Sequence, residues 1–272
     1  MRCAAFTVDV DRDVNEPREG AVEAACRGSP VPRYSSTREG LEIIVDMLDE
    51  LGVKGTFFME GEAAEVLSTD IDLRNLLNGH EVAAHGYAHE DLTGESTGII
   101  PSEEWLDAII GRSLAVIEDV TGVRPQGFRA PYQHINEQVV AVLQRRGLMY
   151  DSTLFAEMPS GLHPYLLPSG LIEVPLAQGR DATGRRMQSY LWPLHEGRRE
   201  VNDYLQLIDG HEDGLFVLAD HSWHIVESLS GVRSPQRAET EIGKVRHILQ
   251  GTLDRGVEIV TLSNYIRMEG ML

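Results

Sequence analysis

Asp9 and Asp11 lie two residues apart in Thr7-Val8-Asp9-Val10-Asp11, and His85 and His89 lie four apart in His85-Gly86-Tyr87-Ala88-His89. Alternate residues of a strand point to one face, so both carboxylates can share a site if the apolar run before them is a strand. Two imidazoles and a carboxylate make a three-ligand set with an open fourth position, the arrangement of a catalytic zinc. A second carboxylate beside such a set is placed to act as general base. Metal-dependent hydrolysis is the chemistry these four residues suit.

The chain has ten histidines, enough for one His-x-x-x-His spacing to arise by chance, and the same pair occurs on helix surfaces. What favours ligation is Gly79-His80-Glu81-Val82-Ala83-Ala84, which reads as a buried strand delivering His85 to its end. His80 is offset from His85 by an odd number, faces the other side and reads as a hydrogen-bonding residue at the strand start. Asp13 could compete with Asp11, but polar residues follow it and it reads as a solvated loop acid.

Three further segments end strand-like runs in polar groups. In Arg129-Ala130-Pro131-Tyr132 the arginine can clamp a carboxylate bidentately and keep it ionised, and the proline-stiffened turn suits a backbone N–H offered to an oxyanion. In Tyr150-Asp151-Ser152 a buried Asp151 could orient a catalytic histidine, or Asp151 or Ser152 could cap a helix. In Phe216-Val217-Leu218-Ala219-Asp220-His221-Ser222-Trp223-His224, either His221 or His224 could protonate a leaving amine. The sequence has no phosphate-binding loop, serine nucleophile elbow or cysteine-based zinc pattern.

These residues need a scaffold that brings strand ends together. Strand-like runs cover Ala4–Val10, Gly55–Met59, Glu81–Ala84, Gly127–Arg129, Leu148–Ser152, Leu171–Pro175, Leu215–Asp220 and Val257–Leu262. Helical patterns lie between them: Thr37 to Leu51 with an apolar stripe, Ser102 to about Val120 before Gly122, Asn136 to Arg146 before Gly147, and Pro235 to Arg255 before Gly256. Alternation of this kind predicts an α/β fold with a parallel sheet, closed into a barrel by seven or eight repeats. Asp9, Asp11, His85, Arg129, Asp151 and His221 all fall at or just after strand ends, where barrels collect function. The chain reads as a single domain over 1–272, without repeat, linker or low-complexity tract. Arg12 to Ser36 is the longest expected loop and is expected to cap the mouth of the site.

The 272 residues carry 43 acidic and 24 basic side chains, a net charge of −19. Such a field repels phosphate backbones and argues against nucleic acid as a partner. No apolar run reaches the roughly 18 residues of a membrane span. Two cysteines make no disulfide framework; Cys3 reads as a small core residue, and Cys26, in a polar stretch, as a free thiol. The segment before Asp9 is too short for a signal peptide, so a cytoplasmic location is expected.

In their order, Thr7–Asp11, His85–His89, Arg129–Tyr132, Asp151 and Leu218-Ala219-Asp220-His221 resemble the motifs of the polysaccharide deacetylase family, carbohydrate esterase family 4. The resemblance spans roughly residues 4 to 224. It implies a distorted (β/α)7 barrel and metal-assisted deacetylation of an N-acetylated sugar or polysaccharide. It implies Asp9 as base, Asp11, His85 and His89 as ligands of a divalent metal, Zn²⁺ first, and Arg129 as the holder of the base. It further implies the Tyr132 backbone N–H at the oxyanion, His221 as general acid tuned by Asp151, and Leu218 in the acyl pocket; Trp223 is assigned beside it to substrate contact. The family motif has adjacent aspartates, whereas Val10 separates them here, and Phe155 stands where the family has tryptophan after the Asp151 position. The spacing and the His-Gly-Tyr-x-His-Glu run are similar to an intracellular branch of peptidoglycan-deacetylase-like and cyclic-imidase or allantoinase-like proteins. That branch makes a small amide or imide the alternative substrate and implies a homo-oligomer. A non-catalytic binding protein on the same barrel is the remaining alternative.

Overall fold

The computed structural model describes every residue except Met1, Ser160 and Leu272. Eight strands form the parallel part of the main sheet: β1 (Arg2–Val10), β2 (Thr56–Met59), β3 (Glu81–Ala84), β4 (Gly127–Phe128), β5 (Tyr150–Asp151), β6 (Ile172–Glu173), β7 (Gly214–His221) and β8 (Glu258–Ile259). Each expected strand is present, most of them trimmed at the ends. The sheet runs β7-β1-β2-β3-β4-β5-β6, β8 also pairs with β1, and Tyr165–Leu166 lies antiparallel on the β6 edge. Register sets Asp9 opposite His221 across β1 and β7. It also aligns Met59, Ala84, Phe128, Asp151 and Glu173 in one row across the rest of the sheet. His85 and Arg129 each follow this row by one residue, so strand pairing alone delivers them to the same end.

The sheet curls into a half-barrel, the mixed α/β form of the (β/α)7 fold, and its closure differs from a plain barrel. Among the described residues β6 and β7 do not pair. After β6 the chain passes Pro175, which has no N–H to give a ladder, and continues as Leu176–Arg180 in a separate three-stranded sheet with Phe155–Glu157 and Arg186–Gln188. The gap is bridged by Ser189 to Leu191. Ser189 N–H donates to Ala177 O at 2.8 Å, Leu191 N–H to Ala219 O at 2.7 Å, and Ala219 N–H to Ser189 O at 3.1 Å. Tyr190 therefore sits in the seam.

Strand alternation sorts the core into two layers. Cys3, Ala5, Phe58, Ala83, Leu215, Val217 and Ala219 pack inside the curl. Phe6, Val8, Val10, Phe57, Met59, Phe216 and Leu218 pack outward against the helices. The four expected helices are Ser35–Leu51, Glu103–Thr121, Glu137–Arg145 and Pro235–Asp254. Ser102 caps the second through Trp105 N–H, and Gly122 ends it in the left-handed conformation. Shorter helices at Gly61–Leu67, Leu73–Leu76, Trp192–His195, Val201–Asp209 and Leu262–Met268 have no counterpart in the sequence reading. No helix among the described residues is long and apolar enough to cross a membrane.

The stretch from Arg12 to Ser36 is more ordered than a loop. Asn15–Arg18 and Ala21–Cys26 form an antiparallel hairpin, and Cys26 is a free thiol but a buried one. Asp13 is not solvated: it is fully buried and accepts from Thr37 N–H at 2.8 Å and Ser36 N–H at 3.2 Å. Tyr34, at the start of the Ser35–Leu51 helix, makes no side-chain cap. Asp13 thus supplies, from a distance in sequence, the acceptor that the helix's orphan N–H groups require.

Candidate active site

β1 ends at Val10 with its inner face carrying Thr7 and then Asp9 into the mouth of the curl. Arg129 Nη1 donates to Asp9 Oδ1 at 2.9 Å and also to Thr7 Oγ1 at 2.9 Å, while its Nε donates to Ser152 O at 2.8 Å. The clamp is single-pronged rather than bidentate, because the Tyr190 hydroxyl donates to the other oxygen, Oδ2. Burial alone would raise the Asp9 pKa, but Arg129, His85, His221 and the Tyr190 hydrogen bond together pull it down to about 2. Asp9 is ionised throughout the physiological range.

Asp11, His85 and His89 converge beside it, with one ligand atom from each lying within 4.8 Å of the others. His85 Nδ1 donates to Arg129 O at 2.8 Å, which leaves Nε2 as the acceptor facing the site. His89 Nε2 is 3.3 Å from Asp11 Oδ2. Asn15 donates to that same oxygen at 2.6 Å, while Asp11 Oδ1 is buried without a hydrogen bond among the described residues. Burial lowers both imidazoles to about 4, so they are neutral, and burial together with Asp9 and Glu60 holds Asp11 well above the usual carboxylate range. Two neutral imidazoles and a carboxylate starved of positive charge fit a divalent cation.

The histidine spacing arises from a folded loop, not a helix. Gly86 turns the chain at φ 73°, where an added Cβ would meet Glu90 Oε2 at 2.7 Å. Glu90 accepts from Tyr87 N–H at 2.9 Å and Ala88 N–H at 2.7 Å, and burial pushes its pKa to about 7. His89, Tyr132, Gln133 and Val14 are the non-glycine residues at positive φ among the described ones. Three of them line the cavity and Val14 precedes Asn15, which also lines it. Such strain gathers where side-chain placement outweighs backbone comfort.

A cavity of about 370 Å³ opens over Asp9, His85, His89 and His221. Asn15 and Pro17 of the hairpin form part of its wall, as expected for the segment after Arg12. Behind that wall Arg12 is buried: its Nη2 donates to Glu60 at 2.7 Å and Glu62 at 2.7 Å, its N–H to Glu60 at 2.9 Å, and Tyr34 donates to both acids. This network fixes the turn that carries Asp11. His80, as expected, works at its strand start, accepting from Gly55 N–H at 3.1 Å.

Of the two candidate acids, His221 faces the site. Its Nε2 lies 3.9 Å from Asp11 Oδ2 and 3.4 Å from the Tyr190 hydroxyl. Burial lowers its pKa, against the pull of Asp11, Asp9 and Asp220. His224 is turned away, 2.8 Å from Glu196 Oε1. Gly40 in the Ser35–Leu51 helix lets the turn after His221 press close, since a Cβ there would fall 1.9 Å from Ser222 O.

Three assignments change. Asp151 does not reach His221, whose Nδ1 has no hydrogen-bond partner among the described residues. Asp151 instead accepts from Thr153 Oγ1 at 2.9 Å, and that hydroxyl accepts from Ala130 N–H at 2.9 Å. Asp151 thereby braces the Arg129–Tyr132 turn, while burial raises its pKa to about 6 against the lowering by its hydrogen bonds with Glu173 and Thr153. Leu218 is three residues from His221, so alternation sends it to the outer core with Phe6; Ala219 has the inner position. Trp223 is fully buried beneath the site, stacked on His224 at 4.3 Å, and Trp192 reaches the cavity in its place. Tyr132 lines the cavity with its ring 4.6 Å from that of His89. Tyr190 and Trp192 carry no motif that sequence reading could find.

The family model for polysaccharide deacetylase matches residues 34–150. A peptidoglycan deacetylase-like protein of Gibberella zeae is 32% identical over 120 residues, which is 43% of this chain and only 33% of that protein. A crystal structure from Mycobacterium smegmatis, assigned to the polysaccharide deacetylases, superposes with a TM-score of 0.67 at 25% identity, covering 98% of this chain and 89% of that one. A family 4 pseudoenzyme of Bacillus anthracis shares the fold at a TM-score of 0.57 and 13% identity, over 98% of this chain and 66% of its own. The matched segment, the whole-chain superposition and the meeting of the separated motifs at one sheet end agree: residues 34–150 are similar to the polysaccharide deacetylase family, and the chain shares the fold of solved structures of carbohydrate esterase family 4.

Proposed function

We propose that this protein is a metal-dependent deacetylase that hydrolyses the acetamide of an N-acetylated sugar or polysaccharide, with Zn²⁺ as the metal. Since a pseudoenzyme shares the fold, the fold alone cannot carry the reading. The observation that carries it is the convergence of one ligand atom each from Asp11, His85 and His89 within 4.8 Å of one another, with Asp9 and His221, cross-strand neighbours, lining the same cavity. Asp11, His85 and His89 would hold the ion, which when bound polarises a carbonyl and lowers the pKa of a water toward about 7. Asp9, kept ionised by Arg129, accepts the proton of the attacking water. The Tyr132 backbone N–H, in the turn braced by Asp151, faces the developing oxyanion. His221 delivers a proton to the sugar nitrogen as the C–N bond breaks, leaving acetate and a free amine.

Two measurements test this together: metal content after chelation and reloading, and acetate release from chito-oligosaccharides. The Zn²⁺-loaded protein is expected to release acetate, and Asp9→Asn to retain the metal but lose turnover. Acetate release by Asp9→Asn, or none by the loaded wild type from any acetylated glycan, would sink the proposal.

A further inference from the structure

Beside the catalytic cavity lies another of about 550 Å³ that shares Gln188 and Pro193 with it. Its charged lining consists of Arg185, Arg186, Arg198 and Arg199, with no aspartate or glutamate. In a chain with 43 acidic and 24 basic residues, four guanidinium groups at one concavity run against the overall charge.

The local structure holds these groups in place. Arg186 opens the strand Arg186–Gln188, whose last residue is Gln188 of the shared wall. Arg199 is anchored by Nη2 donating to Arg186 O at 2.9 Å and by an ion pair with Asp181. Asp181 also accepts from Arg185 Nε at 3.2 Å, and Glu157 accepts from Arg186 at 3.1 Å. The Arg198 guanidinium makes no hydrogen bond or ion pair among the described residues. Two carboxylates against four guanidinium groups leave an excess of positive charge facing the groove. Arginine's planar fork matches a carboxylate better than any other cation does.

We propose that this cavity is a subsite for a carboxylate on the same substrate whose acetamide occupies the catalytic cavity. The chemistry fits an acidic sugar, with the carboxylate supplied either by a uronic acid or by a lactyl ether. Joining the two groups in one substrate rests on the deacetylase reading; capture of the carboxylate does not.

Calorimetric titration of the intact chain tests it. One arm compares N-acetylglucosaminyl-N-acetylmuramic acid with N,N′-diacetylchitobiose, which lacks the lactyl ether and the carboxylate it carries. The other compares a hyaluronan tetrasaccharide with its carboxyl-reduced form. In at least one arm the acidic sugar is expected to bind about tenfold more tightly, with an advantage that shrinks as salt rises. In an Arg185→Ala/Arg198→Ala variant that advantage is expected to vanish. Arg185 is largely exposed, and the exposed Arg198 side chain makes no hydrogen bond or ion pair among the described residues, so thermal unfolding of the variant should match the wild type. No preference in either arm, or a preference that survives in the double variant, overturns the subsite. An acidic sugar that is bound through these arginines but never deacetylated supports the subsite and removes the deacetylase reading.

Discussion

Tyr190 and Arg129 divide the Asp9 carboxylate between them, the phenol donating to Oδ2 and the guanidinium to Oδ1. Burial holds the Tyr190 pKa well above its usual value, so the phenol remains a donor. Its hydroxyl lies 3.4 Å from His221 Nε2, which places it between the proposed base and the proposed acid. A hydrogen bond to a charged group contributes roughly 1.5–3 kcal/mol, a factor of about 10 to 100 if it is needed in the transition state. Tyr190→Phe is expected to lower kcat by about that factor on chito-oligosaccharides, while Zn²⁺ content stays at the wild-type level. A kcat within twofold of wild type would show that Arg129 alone orients the base.

The metal-free chain should lose stability in acid through its ligands. Burial holds His85 and His89 at about 4, against 6.5 for an ordinary histidine. As pH falls through 6.5 the unfolded chain takes up protons that the folded chain refuses until about 4. The stability these residues contribute is therefore present above pH 6.5 and lost toward pH 4, by about 3 kcal/mol each at about 1.4 kcal/mol per unit. Glu90, raised by burial to about 7, acts in the opposite direction between its ordinary 4.5 and 7, so only a difference isolates the histidines. Denaturant unfolding at pH 7 and pH 4 should show the wild type losing about 3 kcal/mol more than His89→Gln. Equal losses would mean that His89 is already charged in the fold.

Leu218 gives a test of strand parity. It pairs in register with Phe6 and packs in the outer core, fully buried. Leu218→Ala should cost about 2–5 kcal/mol, as truncation of a buried leucine does, and leave the KM for chito-oligosaccharides unchanged. A raised KM with undiminished stability would return Leu218 to an acyl pocket.

The strands were legible because buried parallel strands are short apolar runs with polar ends, as in Glu81–Ala84 and Gly214–His221. The metal triad was legible because Asp11, His85 and His89 are chemically distinctive wherever the loop puts them. Tyr190 was not: it meets Asp9 across 181 positions, at a seam formed where Pro175 interrupts the ladder. The Asp151–His221 link failed for a related reason. Both residues end strands on the correct side, but whether two strand-end groups touch depends on which strands are neighbours, and β5 is four strands from β1 and five from β7. Asp13 was misread because a helix N-terminus draws an acid inward from any point in the chain that reaches it, and sequence proximity reveals only local caps.

Asp13 also yields the sharpest stability test. Its carboxylate accepts from Thr37 and Ser36 N–H, and Arg33 Nη1 lies 3.8 Å away as a partial counter-charge. Burial raises its pKa, against the lowering by the two backbone donors. Asp13→Ala would leave both N–H groups buried without acceptors at the start of a 17-residue helix. Loss of a cap costs about 1 kcal/mol, and stranding buried donors costs about 1–3 kcal/mol, so a drop of about 2–3 kcal/mol in denaturant unfolding is expected. Asp13→Asn keeps an acceptor and should recover more than half of it. The helix also supports the turn after His221 through Gly40 and hands Thr37 Oγ1 to the Asp11 carbonyl, so Asp13→Ala should weaken Zn²⁺ retention as well. A variant as stable as the wild type would return Asp13 to the role of a solvated loop acid.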